Sequence, residues 1–252
     1  MKKVIKKALG RLLSPLIRRL GYTKDAQDTN EKEFLLDNFF SILKKIDFDP
    51  KHIVDVGANH GTWTRKALKY FPDAYFTLLE PQQWLEDDIK DLLSLNPKIK
   101  FHPVGAGSTA GVFKFTIAGR DDSSTFRLTE EEIKNSGLRQ IDVRVVTLNE
   151  FVKAEDLPVP DLIKIDAEGL DLEVVKGASD FFGKTEVFMV EASVSVKEFQ
   201  NDFLKVISTM NEYGYSLFEI TDLNRPLDTP VLCLAELVFV RKKGFIDSQK
   251  FT

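Results

Sequence analysis

Acidic side chains stand where apolar runs end. Asp55 sits in the run His52-Ile53-Val54-Asp55-Val56, and Glu80 follows Tyr75-Phe76-Thr77-Leu78-Leu79. Asp166 and Glu168 follow Leu162-Ile163-Lys164-Ile165, and Glu191 follows Glu186-Val187-Phe188-Met189-Val190. An acid at the end of a second strand can accept hydrogen bonds from both hydroxyls of a ribose, a device that dinucleotide-binding proteins place about 20 residues past their glycines. Glu80, next to Pro81, therefore marks an adenosine-type ligand. The first run leads into the turn Gly57-Ala58-Asn59-His60-Gly61, whose glycines let backbone approach a ligand closely. A pyrophosphate fingerprint needs Gly-x-Gly-x-x-Gly, and this turn has only Gly57 and Gly61, with Asn59 and His60 between them. That favours S-adenosylmethionine (SAM), which carries an amino-acid tail in place of a pyrophosphate, over NAD. Asp55 is placed to pair with the ammonium of that tail, directly or through water. Val104, at the end of a third apolar run, completes the expected cofactor side.

Methyl transfer from a sulfonium is an in-line displacement, and a weakly nucleophilic acceptor needs a base within hydrogen-bond reach or a metal that lowers its pKa. The candidates are Asp166, Glu168, Glu191 and His60. Asp166 or Glu168 is favoured, because both end the strand facing the sulfonium, and Glu191 could orient the acceptor. A divalent cation held by Asp166 and Glu191 is the metal alternative; no Cys/His cluster suggests zinc. Helix-dipole stabilisation explains Asp171 better than it explains Asp166 and Glu168, which precede the helix. His52 and His102 read as structural, and Trp63 and Trp84 as packing.

The elements that must carry these residues alternate. Strand candidates are His52–Val56, Tyr75–Leu79, Ile99–Val104, Leu162–Ile165 and Glu186–Val190. Helix candidates are Glu33–Ile46, Thr62–Tyr70, Trp84–Leu95, Leu170–Lys176 and Val196–Glu212. In Glu33–Ile46 the expected inward residues are Phe34, Leu35, Phe39, Ile42 and Leu43. Such alternation implies a parallel sheet covered on both faces. Phe113–Ile117 and Val143–Val146 read as extra strands flanking a polar insert, and Tyr215–Ile220 with Leu234–Val240 as an antiparallel pair at one sheet edge. The fold class expected is α/β: a Rossmann-like, mostly parallel seven-stranded sheet with an antiparallel edge strand and helices on both faces.

The 252 residues, 43% of them hydrophobic, suit one sizeable core. Three segments are expected: a basic amphipathic helical stretch over 1–24, a linker and leading helix over 25–49, and the catalytic domain over 50–252. Residues 1–24 hold eight Lys and Arg and no acid; the remainder carries 27 basic against 39 acidic residues. The acidic body argues against a nucleic-acid partner. The apolar stripe of the first segment either lies on an anionic membrane surface or packs on the body or on a second subunit. No apolar run reaches the roughly 18 residues of a membrane span. The single cysteine, Cys233, excludes an internal disulfide and fits a reducing, cytoplasmic setting, peripheral to the membrane if the first segment meets lipid. Oligomeric state is left open.

The sequence resembles the FkbM family of SAM-dependent methyltransferases. The resemblance rests on Asp55-Val-Gly57-Ala58-Asn59-His-Gly61, on Glu80-Pro81, and on Lys164-Ile-Asp166-Ala-Glu168-Gly169 followed by Glu173 and Lys176-Gly177-Ala178. Val190-Glu191, Ser123-Ser124-Thr125 and Val146-Thr147-Leu148 also fit, over roughly residues 50 to 241. The Lys-Ile-Asp-x-Glu-Gly block is the most specific part. Asn149 and Glu236 depart from the pattern, each standing where Asp is commoner. The resemblance implies O-methylation of a hydroxyl, in a glycan sugar or a secondary metabolite, and raises a ligand-contact role for Ser124. The rival readings are an NAD-dependent oxidoreductase, against which the missing third glycine counts, and a non-catalytic SAM-binding or membrane-associated protein, against which the intact acids count.

Overall fold

The computed structural model describes residues 28–118, 124–126, 132–133, 137–195, 201–225 and 230–251. The helical reading of 1–24, the start of the linker, Ser123 and the first residues of the helix expected from Val196 lie outside them.

A leading helix α1 (Asp28–Lys45) precedes β1 (His52–Val56), α2 (Thr62–Tyr70) and β2 (Tyr75–Leu79). A 3-10 segment over Gln83–Ile89 enters the short α3 (Lys90–Leu95), then β3 (Ile99–His102) and β4 (Gly105–Ala106). The hairpin β5 (Gly111–Ile117) and β6 (Arg139–Val146) is followed by α4 (Leu148–Ala154), β7 (Leu162–Ile165) and α5 (Asp171–Lys176). β8 (Val187–Ser193), α6 (Phe203–Glu212), β9 (Tyr215–Asn224) and β10 (Leu234–Arg241) complete the described chain. The main sheet has seven strands in the order β3-β2-β1-β7-β8-β10-β9. All neighbours run parallel except β10, which is antiparallel to both β8 and β9. The expected pair thus lies at one edge, with the inverted strand one place in. A second sheet, β4-β6-β5, flanks the first.

Why the strands read as unbroken apolar runs is visible in the core. Val54, Ile163 and Phe188 face one packed cluster, and their neighbours Ile53, Leu162 and Met189 face the other. Period-two alternation sends successive side chains to opposite faces, and here both faces are covered. All five residues of β1 are buried. α1 covers one face through Leu36, Phe39, Phe40 and Leu43, a spacing that fits one helical stripe. The expected inward position of Phe34 is corrected: it is 67% exposed, being out of phase with that stripe. The single helix expected over Trp84–Leu95 is two pieces. The adjacent acids Glu86, Asp87 and Asp88 occupy the 3-10 part, and Asp side chains compete with helical backbone bonds. Among the described residues no helix is long and apolar enough to cross a membrane.

Candidate active site

The carboxyl ends of β1, β2 and β7 open on a cleft, concave as small-molecule sites are. Gly57, Asn59, Glu80, Gln82, Asp166 and Glu168 supply its polar wall, and Leu79, Val104, Phe115 and Phe126 much of its apolar one. The Gly57 turn is shaped by backbone demands. Gly57 has φ +75°, and a Cβ there would lie 2.0 Å from the Asp166 carbonyl oxygen, so the β1 and β7 ends touch backbone to backbone. Asn59 and Glu168 line the same cleft with φ of 45° and 50°, left-handed values uncommon for side-chain-bearing residues and concentrated at functional sites.

Glu80 is 3% exposed at the end of β2. Its Oε2 accepts the Asn59 N–H at 2.9 Å, and its Oε1 accepts the Gln82 N–H at 2.9 Å and Gln82 Nε2 at 3.3 Å. Burial pushes its carboxyl above the usual range, and the donors from Gln82 and Asn59 work against that shift. These bonds fix the carboxylate plane against the cleft. Pro81 and Val104 line the cleft as well, as does Ser124, which is buried, accepts the Ala118 N–H at 3.1 Å and donates to Gln82 Oε1 at 3.3 Å.

Beneath the cleft lies a buried charge cluster. Asp55 on β1 and Lys164 on β7 are directly paired across the sheet, which puts their side chains on one face. Lys164 Nζ is 3.6 Å from Asp55 Oδ1, donates to Asp166 Oδ2 at 3.1 Å and reaches the Gly57 carbonyl at 3.5 Å. Burial opposes its charge, but the carboxylates of Asp166, Asp55 and Glu236 outweigh that and hold its pKa above the ordinary lysine value. Asp55 is 0% exposed, accepts the Thr64 hydroxyl at 2.6 Å and does not line the cleft. Asp55, expected to pair with a ligand ammonium, thus stands beneath the cleft rather than on its wall, with Oδ2 on Thr64 and with Oδ1 3.6 Å from Lys164 Nζ and without a hydrogen-bond partner.

Two further residues expected at the site lie off the cleft. Gly61, φ +71°, packs against Ile89 and precedes α2. His60 is exposed, hydrogen-bonds Asp88 Oδ2 at 2.7 Å through Nδ1 and does not line the cleft. Glu191 lies in an adjoining recess of about 260 Å³, shared with Asp166, Asp222, Asn224 and Glu236. Burial, and the nearby Asp166, Asp171 and Glu168 carboxylates, push Glu191 well above the usual carboxylate range. Glu236 sits beside Glu191 on one side and Asp222 on the other; burial raises it to about 7, with Lys164 opposing. Among the described residues no group of three or more His, Cys, Asp or Glu side chains is arranged to hold a metal.

Sequence reasoning passed over Lys164, Gln82 and Glu236 as site residues. A lysine inside a buried run was the available signal for the first, since such a cation needs partners. Asn149, the other departure from the family pattern, makes its contacts elsewhere: Nδ2 donates to Ser179 Oγ at 3.0 Å and Oδ1 accepts the Asp180 N–H at 3.1 Å.

This strand order, with a glycine turn after the first strand and an acid after the second, defines a Rossmann-like methyltransferase fold of class I. The chain belongs to the FkbM methyltransferase family: residues 55–217 match the methyltransferase FkbM domain. Methyltransferase sdnD of Sordaria araneosa is 27% identical over 177 residues, 59% of this chain and 68% of that protein. The hexuronic acid methyltransferase AglP of Haloferax volcanii is 27% identical over 124 residues, covering 49% of this chain and 46% of that protein. The chain thus spans about half the length of the second relative. Magnesium protoporphyrin IX methyltransferase of Synechocystis PCC 6803, solved with bound SAH, aligns with a TM-score of 0.46 at 9% identity, over 96% of this chain and 100% of that one.

Proposed function

We propose that this methyltransferase uses SAM and transfers the methyl group to a hydroxyl oxygen, of a sugar in a glycan or of a secondary metabolite. Glu80 carries the cofactor reading. Each of its oxygens accepts protein N–H groups and retains acceptor capacity toward the cleft, as a ribose diol requires. The Gly57 turn, with no room for a Cβ, brings backbone to the same ligand. Bound there, SAM supplies an electrophilic methyl on a sulfonium. The chain's task is to hold the acceptor oxygen about 3 Å from that carbon, opposite the sulfur, and to take its proton. Asp166 suits the proton transfer best, since it borders both the cleft and the recess beside it. Glu168, which borders the cleft alone, is the alternative base. The relatives' names support methyl transfer, and that of the hexuronic acid methyltransferase supports a sugar-like acceptor.

Calorimetric titration with SAM, and with NAD as control, tests the reading. Wild type should bind SAM and not NAD, and Glu80→Ala should bind SAM at least about tenfold more weakly, the loss of one or two hydrogen bonds to a charged acceptor. Well-folded wild-type protein that ignores SAM overturns the assignment.

A further inference from the structure

A lysine in a central strand calls for an explanation. β7 lies between β1 and β8, and all four of its residues are buried. A buried ion pair is weak evidence for stability, since apolar side chains of similar volume often serve a fold as well or better. What Lys164 does hold is Asp166. Two residues further along the same run, Asp166 falls on the same face, and its N–H still donates to the Val56 carbonyl at 3.1 Å. Lys164 Nζ donates to Asp166 Oδ2 at 3.1 Å. It is 3.6 Å from Asp55 Oδ1, an oxygen with no hydrogen-bond partner. The ammonium thus leans on Asp166 by hydrogen bond, while Asp55, buried beside it, balances its charge. The Gly57 carbonyl, at 3.5 Å, adds a third contact, to the turn after β1. The backbone of Asp166 is braced against that same turn, because a Cβ on Gly57 would lie 2.0 Å from the Asp166 carbonyl oxygen. Asp166 is therefore held at its N–H, its carbonyl and one carboxylate oxygen.

We propose that Lys164 is a positioning residue for methyl transfer: it fixes one oxygen of the Asp166 carboxylate so that the other meets the acceptor's proton. The assignment rests on the reading that Asp166 is the base. As the acceptor oxygen bonds to the methyl carbon and the carbon–sulfur electron pair stays with sulfur, the acceptor's proton passes to Asp166. That carboxylate then loses its charge, and Asp55 keeps the ammonium compensated inside the sheet. An apolar side chain at position 164 would leave the Asp166 carboxylate free to turn, and an error of about 1 Å in a reacting group costs about 10²-fold in rate.

The test is a double-mutant cycle on the full chain, joining Lys164→Met and Asp166→Asn. Calorimetry measures SAM affinity, and labelled SAM follows turnover on methyl glucoside, methyl glucosaminide and methyl glucuronide. Wild type is assayed first. Wild type that does not bind SAM, or that binds it and methylates none of the three, overturns the reading of the site and this proposal with it. Once wild type turns over, the variants test Lys164 alone. Lys164→Met should lower kcat by about 10²-fold, with the acceptor KM and the SAM Kd each changed less than about threefold. In the Asp166→Asn background the same substitution should lower kcat by less than about threefold, because a residue that acts through Asp166 then has no base left to position. Losses that multiply across the cycle, or a loss of SAM affinity with kcat unchanged, assign Lys164 to the fold alone and overturn the proposal. Should Lys164→Met fail to fold, combining it with Asp55→Asn removes the buried pair together. That variant should show the same fall in kcat at saturating SAM, and a kcat near wild type overturns the proposal.

Discussion

At the residue scale the site divides into groups that touch ligand and groups that hold them. By the proposed function Asp166, which lines the cleft, belongs to the first kind. Replacing it with Asn keeps its shape and removes its basicity, so turnover should fall by about 10²- to 10⁴-fold with SAM affinity changed less than about threefold. Labelled SAM with a panel of simple glycosides measures the first, calorimetry the second; unchanged turnover removes Asp166 from the mechanism. Glu236 belongs to the second kind, and its protonation is linked to stability. Its folded value of about 7 lies above the ordinary 4.5. Between those values the folded protein keeps a proton that the unfolded chain has lost, so stability falls as pH rises through this window and levels off above it. The slope from one such group is at most about 1.4 kcal/mol per pH unit. Urea unfolding from pH 5 to 8 should show that the decline is shallower in Glu236→Gln than in wild type; parallel slopes would contradict the linkage. Glu80, Gly57 and Asp166 were legible in the sequence because each sits where a run of one period gives way to another. Glu236 was not, since it stands inside a strand candidate whose direction the sequence does not state.

At the scale of elements, the segments that position the site are tied by a few side chains. Asp171, at the start of α5, accepts the Ala167 N–H at 2.9 Å and the Gly169 N–H at 3.1 Å, which holds Glu168 in its left-handed conformation. Asn201, just before α6, donates Nδ2 to Asp171 Oδ2 at 2.7 Å and to the Glu191 carbonyl at 2.9 Å. One amide thus links the turn after β7 to the end of β8. Asn201→Ala leaves both acceptors without that donor and should cost about 1–3 kcal/mol, read as a lower urea midpoint with an unchanged slope. A cost near zero would mean that water replaces the amide freely. The strands over His52–Val56, Tyr75–Leu79 and Leu162–Ile165 match the sequence reading residue for residue, because burial on both faces leaves few polar interruptions. α4 went unread in the sequence. Its cap was nonetheless written in the chain: Thr147 Oγ1 accepts the Glu150 N–H at 3.2 Å and donates to Glu150 Oε2 at 3.1 Å, from a Thr-x-x-Glu pattern.

At the scale of the whole molecule, charge is segregated along the chain. The eight basic residues of 1–24 precede a body with twelve more acids than bases. That contrast predicts that full-length protein binds anionic vesicles and that removing residues 1–24 abolishes the binding while leaving SAM affinity intact. Equal sedimentation of both forms with such vesicles would exclude this segment as the anchor. The two concavities are segregated as well. The cleft draws on the ends of β1, β2 and β7, and the recess on β8, β9 and the start of β10, which reaches the same rim only because β10 runs the opposite way. Among the described residues Asp166 alone lines both. Such a division makes the molecule evolvable in halves. Substitutions along β8, β9 and β10 can reshape the recess while the Gly57 turn and Glu80 keep the cleft as it is, provided the shared aspartate stays in place.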